Sequence, residues 1–132
     1  MSDVRTERLR ALNSLYRLYP GSGDSCVYCG VPADTYDHVP ALAIVQASSD
    51  KDSFSCYLVP ACRECNSLLG TQGLTVTDRR VIVKKKLKAR YRTFLKCAKW
   101  TPKELDDLGT NLREIVESGA DIGEWMRRRL SW

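Results

Sequence analysis

Residues 26–66 read CVYCGVPADTYDHVPALAIVQASSDKDSFSCYLVPACRECN. Two CxxC pairs, Cys26 with Cys29 and Cys62 with Cys65, bracket 32 residues that contain the chain's one histidine, His38. A CxxC turn places two thiolates on one tight knuckle, and two knuckles complete the tetrahedron that zinc prefers. Four cysteines close the coordination shell, so the ion is expected to be structural. A redox CxxC needs a βαβ setting, which the flanking sequence does not supply. Cys56 and Cys97 lack such partners and read as buried apolar residues.

Outward from this stretch the pattern turns helical on both sides. Leu9, Leu12, Tyr16 and Tyr19 fall on one face of a helix over residues 4–19, which Pro20-Gly21-Ser22-Gly23 ends. From Asp78 onward, Val83, Leu87, Tyr91, Leu95 and Ala98 repeat every four residues or so. Thr101-Pro102-Lys103-Glu104 spells an N-cap, a proline at the first helical position and a capping box. Leu105, Leu108, Leu112, Ile115 and Val116 give the next helix a buried stripe, Ser118-Gly119 stops it, and a short last helix covers Ile122–Leu130. Trp125 and Met126 are core candidates there. The expectation is one α+β domain, mostly helical, over residues 1–132. It comprises an N-terminal helix in 1–20, a zinc-stapled core in 24–70, and a basic helix with C-terminal helices in 78–132.

The 132 residues are 43% hydrophobic and 28% charged, with no run long and apolar enough to cross a bilayer, which excludes a disordered chain and a membrane span. Neither a secretory signal nor a transit peptide is legible in Met1–Arg10, so a cytosolic, reducing compartment is expected, as in a bacterial or phage-infected cell. The formal charge of +5 hides a strong asymmetry. Residues 79–103 hold eleven basic side chains and no acidic one, while the segments on either side each carry a net −3. Arg79, Arg80, Lys84, Lys85, Lys86, Lys88, Arg90 and Arg92 crowd one helix, with Lys96 and Lys99 beyond them. Like charges at i,i+4 oppose helix formation, so an anionic partner is expected, and a nucleic-acid backbone fits better than a membrane surface.

Cys26-x2-Cys29, Asp37-His38-Val39-Pro40, Leu58-Val59-Pro60-Ala61-Cys62 and Cys62-x2-Cys65-Asn66 together resemble the zinc-bearing HNH endonucleases. The resemblance covers about residues 24–70. It implies a small ββα-metal, treble-clef-like core and hydrolysis of phosphodiester bonds in DNA, with RNA as a further possible substrate. It implies His38 as the general base, and Asp37 and Asn66 as ligands of a catalytic Mg²⁺ or Mn²⁺. An imidazole titrating near neutrality suits a base, and oxygen ligands suit such ions. Where the family usually carries its middle Asn this chain has Tyr57, and Leu69 and Gly70 stand where His or Lys is common. The same residues admit a non-catalytic zinc module that binds nucleic acid, or a subunit that meets a protein partner or a second copy through its C-terminal helices.

Overall fold

The computed structural model describes residues 4–96 and 101–132; Cys97, Ala98, Lys99 and Trp100 lie outside the described residues. The chain runs through α1 (Val4–Asn13), β1 (Arg17–Leu18), β2 (Thr35–Val39), α2 (Leu42–Ala47), a 3-10 turn (Lys51–Ser53), β3 (Tyr57–Ala61), α3 (Arg63–Leu69), α4 (Val76–Arg90), α5 (Arg92–Leu95), α6 (Pro102–Asp106) and α7 (Thr110–Leu130). It is a mixed α and β fold, mostly helical, around a three-stranded sheet of order β1-β3-β2.

β2 and β3 pair antiparallel in a register that sets His38 opposite Leu58 and Asp37 opposite Val59. Because side chains alternate along a strand, the sheet separates two clusters. Val39, Val59 and Ala61 face the larger one, with Cys26, Tyr28, Cys29, Cys62, Cys65, Leu69, Val83, Leu87 and Met126. Leu58 packs on the smaller one, built from Leu12, Tyr16, Val45 and Cys56. Cys56 is therefore a buried apolar residue, and burial raises its thiol above the ordinary range. Each fully buried Val or Leu stabilises the fold by about 1.5–3 kcal/mol.

Three helix boundaries differ from the sequence pattern. The N-terminal helix ends at Asn13, because Arg17 and Leu18 leave it to pair in parallel with Tyr57 and Leu58. A strand partner distant in sequence overrides local periodicity there. The basic helix starts at Val76, where the Thr75 side chain accepts from Asp78 N at 3.1 Å, and it breaks at Tyr91. At the C-terminal end, α6 carries the expected Thr101–Glu104 capping box but stops at Asp106. The chain then runs as one helix from Thr110 through Gly119 to Leu130. A helix-interior glycine costs only about 1 kcal/mol, which tertiary packing outweighs. Gly123 shows the packing, since a Cβ there would come within 2.4 Å of Phe94 O on α5. Leu112 and Ile115 are 51% and 68% exposed, so the expected buried stripe is confined to the second half of α7.

Candidate metal centre and the two faces of the sheet

Two knuckles bring the four cysteines together. Gly30 N donates to Cys26 O at 2.9 Å and Cys26 N to Val31 O at 2.6 Å, closing the first turn around Gly30, whose φ is +78°. Cys62 is the N-cap of α3, and its sulfur accepts from Cys65 N at 3.4 Å. The four Sγ atoms lie within 4.8 Å of one another, all are buried, and none is in a disulfide. Cys29 Sγ and Cys62 Sγ are 3.7 Å apart. A tetrahedral zinc with Zn–S bonds of about 2.3 Å has an edge of about 3.8 Å, so the donor set fits that ion in spacing and in chemistry. Hydrogen bonding to Cys26 holds Cys29 and Cys62 below the ordinary thiol range, Cys62 at about 6. The same network pushes Cys26 up, chiefly through Cys29, and Cys65 up, chiefly through Cys26.

One cation sits beside this cluster. Arg129 of α7, 2% exposed, directs Nη2 toward Cys62 Sγ at 3.7 Å and Cys65 Sγ at 3.8 Å, and Nη1 to Glu64 Oε1 at 2.6 Å. Burial works against its charge, but hydrogen bonds to Glu64 and interaction with Cys29 raise its pKa. Its guanidinium also lies 4.6 Å from the Trp125 ring centroid. Tyr91 donates to the other oxygen of Glu64 at 2.6 Å, and burial, then this bond, raise the phenol. A four-thiolate zinc centre carries a net negative charge, so a buried arginine donating toward two of its sulfurs ties α7 to the metal site.

Asp37 lies on the same face of the sheet. It is 3% exposed and accepts from Arg79 Nε and Nη2, both at 2.9 Å, and from the Tyr28 hydroxyl. Arg79 has no exposed surface and also donates to Gly70 O and Gln72 O, so it offers nothing to an external phosphate. Burial, followed by the charge of Asp37, raises the Tyr28 phenol far above its usual range.

His38 lies on the other face, as alternation along β2 requires. Its Nε2 is 3.0 Å from Asn13 Oδ1 at the end of α1, a contact that is a hydrogen bond in the tautomer with the proton on Nε2 and the lone pair on Nδ1. The Tyr16 ring packs edge-on at 4.9 Å, and its hydroxyl donates to Pro40 O. Burial, then Cys56, push the Tyr16 phenol up to about 12. Burial lowers the His38 pKa, opposed by the nearby Asp37 charge. Asn66 of α3 donates from Nδ2 to Tyr36 O on the edge strand β2 at 3.4 Å, and among the described residues its Oδ1 has no partner. Tyr57 points to the face opposite His38; its ring meets Tyr19, and its hydroxyl accepts from Arg17 at 3.4 Å.

The basic helix divides into two sides. Besides Arg79, Arg80 donates to Val27 O, Lys84 to the Trp132 carbonyl, Lys86 to Leu68 O, and Arg90 pairs with Glu64 at 3.5 Å. These side chains fasten α4 to the cysteine-bearing core and to Trp132. Lys85, Lys88, Arg92 and Lys96 are exposed and line one groove with Ala89 and Leu95. Among the described helices none is long and apolar enough to cross a membrane.

Compared with known protein families, with characterised proteins and with solved structures, the chain matches none. Sequence reasoning missed Arg129, Glu64 and Asn13 as parts of these sites. Arg129 follows Met126 by three residues, a core position on a helix, and a charge there signals a buried partner. For Asn13 no local signal exists, because its partner is 25 residues away.

Proposed function

We propose that this chain is a divalent-metal-dependent endonuclease of the HNH type, built on a zinc-stapled ββα-metal core, and that it hydrolyses phosphodiester bonds in DNA. The observation that carries the reading is the Asn66 amide seated on the Tyr36 carbonyl. It sets a free amide oxygen from α3 against the strand that carries Asp37 and His38, with the cysteine quartet fixing β3 to α3. His38 Nδ1 accepts a proton from water as the water oxygen bonds to phosphorus. The bond from phosphorus to one sugar oxygen breaks, and that oxygen leaves with a proton returned from the ring or solvent. Mg²⁺ or Mn²⁺, when bound, supplies Lewis-acid stabilisation of the charge on the phosphate. Asn66 Oδ1 and Asp37 would hold it. Arg79 and Tyr28 take three of the four lone-pair sites of the Asp37 carboxylate, and one remains on Oδ1.

A second reading rests on that same clasp. A carboxylate bonded to a buried arginine is a poor cation ligand, which favours a non-catalytic zinc module that binds nucleic acid. Cleavage of supercoiled plasmid with Mg²⁺ or Mn²⁺, beside His38→Ala and an EDTA control, separates the two. The nuclease reading expects metal-dependent nicking that falls by about 10²-fold or more in His38→Ala. Plasmid retarded on a gel without any nicking selects the binding module. Equal nicking by both proteins removes His38 as the base.

A further inference from the structure

We infer that nucleic acid is held by one groove on α4 and α5, through Lys85, Lys88, Arg92 and Lys96, and not by the basic helix as a whole. The inference rests on the proposed phosphodiester partner and names where it is gripped. Five of the nine basic side chains from Arg79 to Lys96 are engaged by protein partners, Asp37, Val27 O, Trp132 O, Leu68 O and Glu64, although Arg90 itself stays exposed. The four groove residues are exposed and make no ion pair or hydrogen bond among the described residues. Lys85 and Lys88 lie on α4, Arg92 opens α5 and Lys96 caps its end, and all four line the same groove.

The groove is open, with a volume of about 440 Å³, and the exposed Ala89 and half-buried Leu95 line it together with the four cations. Small apolar surface among the cations suits the sugars of a backbone whose phosphates reach those cations. It does not suit a bilayer, which needs apolar side chains that project. Contacts of this kind carry no base readout, so binding is expected to be indifferent to sequence and steeply dependent on salt.

The test is fluorescence anisotropy of full-length, zinc-loaded protein with labelled duplex DNA, single-stranded DNA and single-stranded RNA, from 50 to 200 mM salt. Charge-removing variants are Lys85→Gln, Lys88→Gln, Arg92→Gln, Lys96→Gln and the combination of all four. Zinc content and far-UV circular dichroism confirm that each is folded. On duplex, each substitution shrinks the slope of log K against log salt by about 0.9, and all four together by about 3.6; on single strands the step is about 0.7. Lys84→Gln and Lys86→Gln change it by less than half as much. A folded fourfold variant with the wild-type slope overturns the inference, as does a wild-type protein that binds poly-glutamate as tightly as it binds any of the oligonucleotides. Binding with this slope but without plasmid nicking removes the nuclease reading and keeps the groove. Nicking by a protein whose slope ignores the four residues does the reverse.

Discussion

Asp37 and Arg79 form a bidentate ion pair, with both N···O distances 2.9 Å and both side chains nearly sealed from water. It joins the edge strand β2 to α4 across 42 residues of sequence. Removing one partner of such a pair leaves a buried charge uncompensated, a loss of about 3–5 kcal/mol. Arg79→Met is expected to lower the urea midpoint accordingly. The double variant Asp37→Asn/Arg79→Met recovers part of that loss. A single variant as stable as wild type would show that the clasp contributes nothing.

Metal removal tests the cysteine quartet. Purified protein is expected to release one zinc per chain to a chromogenic chelator after thiol oxidation, and Cys65→Ser is expected to lower zinc content and stability together. Because a closed four-cysteine site couples binding to folding, apo protein should lose its near-ultraviolet dichroism. Apo protein that keeps a sharp thermal transition at the same temperature would contradict this.

Asn13 is expected to act on catalysis through His38. Its hydrogen bond fixes the imidazole tautomer and plane, a contribution of about 1 kcal/mol, so Asn13→Ala should lower kcat about fivefold with KM nearly unchanged. Asn13→Asp, which keeps an oxygen acceptor, should restore most of the rate. Loss in KM alone, or no rescue by Asp, would assign Asn13 to α1 packing instead.

Gly123 lets α7 lie against α5, where a Cβ would meet Phe94 O at 2.4 Å. Gly123→Ala is expected to destabilise by about 1–3 kcal/mol as α7 is pushed away, despite alanine's better helix propensity. Trp125, which packs edge-on against Tyr91 at 6.0 Å, should report the shift as a red-shifted emission. A variant more stable than wild type would show that the helices separate freely.

The cysteine knuckles were legible because spacing alone defines them, and the Thr101–Glu104 capping box because its chemistry is local. The opposite orientations of Asp37 and His38 followed from strand alternation. Arg79 was misread within its basic run, although Val76, Arg79, Val83 and Leu87 share one helical face and all four are buried. A charge on an apolar stripe points inward, and that rule separates the fasteners of α4 from its free cations. β1 was not legible, since its two residues become a strand only by meeting β3. The continuity of α7 through Gly119 was hidden for the same reason: packing, not propensity, sets that helix.

The sheet that parts Asp37 from His38 also parts two kinds of constraint. On one side Arg129 contacts the cysteines, and the Arg79 clasp meets the same buried cluster through Tyr28, so a change to one is felt by the others. On the other, His38, Asn13 and Tyr16 sit on a small cluster that none of those side chains joins. Substitutions around the histidine should therefore add to, and not multiply with, those around the cysteines. A laboratory selection that retunes the histidine face can draw on the stability of the larger cluster on the far side of one strand.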